Sequence, residues 1–197
     1  MSKDVSTIGI VTKADNYGEY DKLLRILTPD LGLITVRAKS VRKEKAKLKA
    51  CAVPFAFFEY SLVESGAFYV LKTASQVESL IGVSYTPEKY LSSSVVLEAA
   101  SIAGADGEGN SFVYLLKTLK KIIYSDTDSF SFAINYIYYL LKNHGFVIAN
   151  KTNMEYNIEV DEQEPLGPSA VTRIKLRNLV IQFGNCFGTH IKSSELL

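Results

Sequence analysis

Through the first 80 residues, apolar side chains fall in short runs that alternate or nearly alternate with polar ones, the two-residue period of strands. Such runs occupy residues 8–13, 20–28 and 31–39, separated by Asn16-Tyr17-Gly18 and Pro29-Asp30, whose residue types favour turns. Two more, 53–64 and 66–77, are rich in Phe, Tyr and Val, and the break at Glu64-Ser65-Gly66 predicts a hairpin turn. Five strands in so short a stretch match a small closed barrel of the oligonucleotide-binding (OB) type, with an open antiparallel sheet as the alternative.

From about residue 86 the period changes to 3.6. Thr86-Pro87-Glu88 supplies an N-cap, a proline at the first helical position and an acid in the first turn. Tyr90, Leu91, Val95, Leu97 and Ile102 follow, and Gly104 is the predicted stop. A second helix starts at Asn110 or Ser111 and reaches Tyr124, with Phe112, Leu115, Leu116, Leu119, Ile122 and Ile123 on one face and Lys117, Lys120 and Lys121 toward another. A third opens at Asp128 and closes at Lys142-Asn143-His144-Gly145. It is apolar around most of its circumference, which predicts a central place in the bundle. Residues 150–170 follow neither period and are acidic, an irregular excursion with room for one strand at 156–160. A last helix is expected over 170–183, ending near Gly184. The fold class expected is α+β: an amino-terminal five-stranded OB-fold barrel over residues 1–82, then an all-α helical domain over 83–197 with the acidic insertion near 150–170.

Composition narrows the chemistry. The chain has 197 residues, 47% hydrophobic and 22% charged, as in ordinary globular proteins. Its net charge is 22 − 21 = +1, but residues 1–50 carry 11 basic and 6 acidic side chains, so the amino-terminal quarter is a basic pole. Two cysteines, Cys51 and Cys186, cannot build a disulfide framework, and a zinc site would need both of them to converge with His144 and His190. The first residues lack the basic and apolar blocks of a secretory leader, and no apolar run approaches the roughly 18 residues of a membrane span, so a cytoplasmic protein with no membrane partner is expected. Phosphate-loop, nucleophile-elbow and zinc-protease motifs are missing. The glycine-rich stretch 104–109 joins two helices instead of following a strand, which is the wrong setting for a dinucleotide site. A calcium-loop reading from Asp106 fails at Ser111 and Lys117, where glycine and glutamate are required. His144 and His190 read as a capping and a surface histidine. No catalytic residue, metal or cofactor is expected, and the chain reads as something other than an enzyme.

The local feature with chemical content is basic. Arg37, Lys39, Arg42, Lys43, Lys45, Lys47 and Lys49 face only Glu44 in the same thirteen residues, between the third and fourth strands. Arg37 and Lys39 share one strand face, and the loop beyond can follow a phosphate backbone, although a merely solvated lysine loop has the same composition. Phe55, Phe57, Phe58, Tyr60, Phe68 and Tyr69 lie nearby as stacking faces for unpaired bases or as core. Strict alternation sets Phe55 and Phe57 on one face and Phe58 and Tyr60 on the other. The tyrosines at 136, 138 and 139 read as bundle packing. Whether Lys13 and Arg25 face a groove stays open.

Several ordered motifs closely resemble the amino-terminal barrel of the RecO family, bacterial recombination mediators that anneal DNA. They are Ile10-Val11-Thr12-Lys13, Tyr17-Gly18-Glu19-Tyr20-Asp21, Leu27-Thr28-Pro29-Asp30-Leu31-Gly32-Leu33-Ile34, Ala38-Lys39-Ser40-Val41-Arg42-Lys43 and Pro54-Phe55. The ending Gly188-Thr189-His190-Ile191-Lys192-Ser193 is similar to the family's carboxy-terminal pattern. The resemblance implies binding of single- and double-stranded DNA, annealing of complementary strands, and help in loading a recombinase onto strands coated by single-strand-binding protein, through RecR, at the nucleoid. It also implies that the helical domain receives the acidic, Phe-terminated tail of single-strand-binding protein. That tail needs an apolar pocket ringed by cations, with Lys117, Lys120 and Lys121 or Arg173, Lys175 and Arg177 as candidates. The sequence departs from the family at three places. The four-cysteine zinc motif that many members carry after the segment here written Leu140-Leu141-Lys142-Asn143-His144-Gly145-Phe146 is replaced by Asn150-Lys151-Thr152-Asn153 and acidic residues. Ser40 stands where glycine is usual, and Ala46 where serine is common. A second reading is therefore an adaptor of the same fold that docks proteins and binds DNA weakly or not at all.

Overall fold

The computed structural model describes residues 4–104, 110–146 and 168–197. Most of the acidic excursion, its candidate strand at 156–160, the replacement of the zinc motif and most of the glycine-rich stretch after Gly104 lie outside the described residues.

Five strands, β1 (Asp4–Tyr17), β2 (Asp21–Thr28), β3 (Gly32–Ala38), β4 (Phe57–Ser65) and β5 (Phe68–Glu78), close into a barrel in the order β1-β2-β3-β5-β4. All pairs are antiparallel except β3 with β5. This is the OB-fold, and the open-sheet alternative falls because β1 is long enough to serve two neighbours. Its first half pairs with β4, from Asp4 opposite Val63 to Ile10 opposite Phe57, and its second half pairs with β2 out to Tyr17 opposite Asp21. The interior is filled by Val11, Leu24, Ile26, Val36, Tyr60 and Leu62, all fully buried. The β4–β5 turn is Gly66-Ala67, closed by the pair Ser65 and Phe68. Gly66 takes φ +64, a value that costs glycine little.

The fourth strand begins at Phe57, four residues later than the sequence pattern suggests. The preceding residues instead turn inward, where Val41, Cys51, Ala52 and Ala56 join the barrel core. Burial pushes the Cys51 thiol up to about 11, so it packs as a small apolar group. The Tyr60 hydroxyl donates to the Cys51 carbonyl at 3.2 Å, tying β4 to this plug. The pairing with β5 shifts register between Phe57 and Phe58, yet the expected alternation holds: Phe55 and Phe57 pack toward the helices, and Phe58 and Tyr60 with the barrel interior. Phe57 and Tyr60 are both buried, one in each core.

Four helices follow: α1 (Pro87–Ala103), α2 (Asn110–Tyr124), α3 (Ser129–Asn143) and α4 (Pro168–Phe187), with short 3-10 turns at Ile81–Ser84 and Lys192–Leu196. The predicted caps hold. The Thr86 side chain accepts from the Lys89 amide at 3.2 Å, and Asp128 accepts from the Phe130 amide at 3.0 Å. At the end of α3, Gly145 at φ +76 lets the Phe146 amide reach the Leu141 carbonyl at 3.0 Å, a Schellman closure. The last helix does not stop at Gly184. It runs to Phe187 and closes the same way at Gly188, with the Thr189 amide on the Gly184 carbonyl at 2.9 Å. Gly184 is there for space, since a Cβ would stand 2.5 Å from the Thr189 carbonyl oxygen.

Although α3 packs on the other three helices, the helix laid against the barrel is α1. Ile10, Leu27 and Phe57, on the outside of the barrel, share one apolar core with Val95, Val96, Leu97, Phe112 and Leu115. The Phe57 and Phe112 rings lie 6.0 Å apart. The chain's last turn is strapped to α1 by Glu98, which accepts from the Lys192 amide at 2.8 Å, the Ser193 amide at 3.0 Å and the Ser193 hydroxyl at 2.8 Å.

Phe57→Ala empties the middle of the seam between barrel and helices. It is expected to cost about 3–5 kcal/mol of unfolding free energy, read as a lowered midpoint in urea denaturation.

Candidate nucleic-acid interface

The basic segment leaves β3 at a tight corner built around Asp21, the first residue of β2. Its carboxylate accepts from the Ser40 amide at 2.8 Å and from Arg37 Nε at 2.9 Å, with Arg37 Nη2 at 2.8 Å. The Ser40 amide and then the Arg37 guanidinium hold this carboxyl below its usual range, so the anchor stays charged at neutral pH. Ser40 sits at φ +57, the left-handed region that favours glycine, the residue expected there from the family resemblance.

Two of the seven cations brace the corner. Arg37 is paired with Asp21 and lies over the Tyr17 ring at 5.1 Å. Arg42 donates from Nη1 to the carbonyls of Gly18 at 3.1 Å and Glu19 at 3.0 Å, while its amide donates to the Tyr20 carbonyl at 2.9 Å. These contacts bind the basic segment to the β1–β2 turn. Lys22 adds another link from inside, donating to the Ala52 carbonyl at 2.9 Å. The other five, Lys39, Lys43, Lys45, Lys47 and Lys49, are exposed, and none takes part in an ion pair among the described residues.

The aromatic faces beside them are not the ones the sequence pattern favours. Phe57 and Tyr60 are buried, Phe58 packs on Tyr60 with ring centroids 6.1 Å apart, and Phe68 and Tyr69 are half-buried. The exposed rings are Tyr17 at 48% and Tyr20 at 43%, on the β1–β2 turn, with Lys43 Nζ 5.3 Å from the centre of the Tyr20 ring. Their role is missed by composition because it depends on the basic segment folding back onto that turn. Strand register also settles Lys13 and Arg25, which stand opposite each other on the outer face of β1 and β2 and are exposed. Leu23 is opposite Arg37 in the next pairing, so Arg25 and Arg37 are diagonal neighbours, about 7–8 Å apart along the same face.

The helical candidates separate. Lys117 and Lys121 are one turn apart on α2 and border a cavity of about 400 Å³ with Lys142 of α3, above Tyr114, Phe132 and Tyr139. Tyr139 and Tyr138 thus line this cavity in addition to packing the bundle, and Tyr114 stacks on Tyr139 with centroids 3.9 Å apart. Lys120 points elsewhere, to Glu78 at 2.7 Å. On α4, Arg173 donates to the Leu196 carbonyl at 2.6 Å, while Lys175 and Arg177 are exposed. Lys142 joins the cluster only through helix packing, which explains why its sequence position suggests nothing beyond a helix end. His144 caps α3, with its amide on the Leu140 carbonyl at 3.1 Å. Among the described residues, no three His, Cys, Asp or Glu side chains are grouped to hold a metal, and no helix is long and apolar enough to cross a membrane.

Residues 1–80 match the family model described as recombination protein O N terminal. The chain is similar to the DNA repair protein RecO of Dehalococcoides mccartyi, 31% identical over 121 residues that make up 60% of this chain and 48% of that one. It is 37% identical over 82 residues to the DNA repair protein RecO of Caldicellulosiruptor bescii, covering 42% of this chain and 34% of the relative. Against the DNA repair protein RecO of Clostridium perfringens it is 34% identical over 107 residues, 54% and 43% of the two chains. In each case the chain covers less than half of the relative's own length.

At position 40 the left-handed backbone costs a non-glycine residue about 1–2 kcal/mol, more than the roughly 0.5–1 kcal/mol that glycine loses in chain entropy. Ser40→Gly is therefore expected to raise stability by about 0.5–1 kcal/mol, and Ser40→Val to lower it, as measured by thermal unfolding.

Proposed function

We propose, from the match of residues 1–80 to the recombination protein O N-terminal family model, that this chain is a DNA-binding recombination mediator that acts in DNA repair without catalysing a reaction. It binds single- and double-stranded DNA, anneals complementary strands, and helps load a recombinase onto strands covered by single-strand-binding protein, with RecR as partner. The observation that carries this reading is the row of five unpaired lysines, Lys39 to Lys49, fixed by Asp21 and Arg42 beside the exposed Tyr17 and Tyr20. Annealing requires phosphates of two strands to be neutralised while their bases stay free to pair. Mobile lysine side chains on a fixed backbone do this without base-specific contacts.

A specific observation also favours protein docking. The cavity between α2 and α3 combines an aromatic floor with Lys117, Lys121 and Lys142 at its border, the chemistry that an acidic tail ending in phenylalanine requires. We assign the single-strand-binding-protein tail to this cavity and not to α4, where Arg173 is engaged with the Leu196 carbonyl. If docking is all that the chain does, it is an adaptor, and annealing separates the two readings.

Five phosphate contacts from the segment are expected to contribute about −3.5 to the log-log salt slope of oligo-dT binding, followed by fluorescence anisotropy. The triple variant Lys43→Glu, Lys45→Glu, Lys47→Glu should flatten the slope by about 2.1, and an unchanged slope would remove the segment from the site. A peptide of acidic residues ending in Phe is expected to bind the native chain and to lose affinity at least tenfold with Lys117→Glu and Lys121→Glu, while oligo-dT binding is kept. Peptide binding without acceleration of annealing would establish the adaptor.

A further inference from the structure

A second cavity, of about 490 Å³, lies where the barrel meets α1 and the carboxy-terminal strap, at the far side of the open β1–β2 face from the basic segment. Its volume falls in the range of ordinary ligand pockets. Three cations border it, Lys13 of β1, Arg25 of β2 and Lys192 of the strap, with His190 beside them. The Arg25 guanidinium has no hydrogen bond or ion pair among the described residues, and Lys13 holds only a surface pair with Asp15 at 2.9 Å, which an anion can displace at little cost. The carboxylate in the lining is Glu98, and both its oxygens are already occupied by the strap. Three cations against one carboxylate leave the lining positive in net charge.

Its apolar wall is aromatic. Phe55 and Tyr90 are neighbours with ring centroids 6.4 Å apart and planes tilted by 54°, and Tyr90 is 51% exposed. Phe55 sits at φ +68, a strained backbone for an aromatic residue. It is held there by two backbone hydrogen bonds with Val11: the Phe55 amide donates to the Val11 carbonyl at 3.0 Å, and the Val11 amide donates to the Ala56 carbonyl at 3.0 Å. Strain of this kind persists where the surroundings over-determine it, and here it aims a ring into a solvent-accessible cavity.

Planar apolar walls under a cationic rim suit a planar group attached to anions. We propose that this cavity seats one unpaired nucleotide of a bound single strand, its base against Phe55 and Tyr90 and its flanking phosphates on Arg25, Lys13 and Lys192. An acidic peptide with an aromatic residue has related chemistry, but continuity favours the nucleic acid. Arg25 and Arg37 are diagonal neighbours on the strand face that leads from this cavity to Lys39 and the basic segment, so one polyanion can follow both. The assignment rests on the DNA-binding reading above and gives the strand a fixed end point on the barrel.

The chain contains no tryptophan, so Tyr90→Trp introduces a single reporter at the cavity. On titration with oligo-dT, its emission should be quenched with the same midpoint as the anisotropy of a labelled strand. An abasic strand of equal length should bind without quenching. Arg25→Glu with Lys192→Glu should reduce the salt slope by about 1.4, two phosphate contacts' worth. Binding by anisotropy with neither quenching nor a change of slope would overturn the cavity's role and leave the DNA-binding reading standing. Quenching by the acidic, Phe-terminated peptide but not by oligo-dT would overturn it in favour of a peptide site. No strand binding at any salt concentration would overturn both readings together.

Discussion

Everything in this molecule follows from burying β1 on both of its faces. Val11 points into the barrel and its neighbour Ile10 points out, yet neither has any exposed surface, because α1 covers the outside as the barrel interior covers the inside. The barrel and the helices are consequently joined by a shared apolar core and not by a linker. That arrangement also decides which part of the barrel is available for binding. The helices occupy the side that carries Ile10, Leu27 and Phe57, and the connection between β3 and β4 plugs the interior with Val41, Cys51 and Ala52. What is left open is the outer face that bears Lys13, Arg25 and Arg37.

Charge on that face is divided between support and display. Arg37 and Arg42 use bidentate or paired donor geometry to fix the backbone, work suited to a guanidinium, while the five cations of the segment whose side chains hold no hydrogen bond or ion pair among the described residues are all lysine, a compact charge on a flexible stem. A segment with seven cations would otherwise repel itself outward. One carboxylate, Asp21, and a few carbonyl oxygens are enough to hold its path because they act at the corner where it leaves the sheet.

Features specified by a few neighbouring residues were readable from the sequence. Thr86-Pro87 and Asp128 announce helix starts because the capping atom lies within three residues of the amide it satisfies. The five strands and the basic segment were equally plain. Features that need a distant part of the chain were not. The strand start at Phe57 is set by the plug that the preceding residues form. Gly184 looks like a helix stop, but its bare backbone serves the returning chain at Thr189. For the same reason, Tyr17, Tyr20 and Lys142 gain their places in candidate sites only when loops and helices have packed.

The strap from α1 to the last turn has a kinetic meaning. Glu98 receives the amides of Lys192 and Ser193, which lie 94 and 95 residues farther along the chain. Contacts of such separation carry the largest loop-closure entropy, whereas the hairpin at Gly66 and the capped helices close locally. The strap therefore closes one of the longest loops in the fold and is expected to form after the local elements. Local opening there would uncover one wall of the cavity beneath it while the barrel keeps its shape.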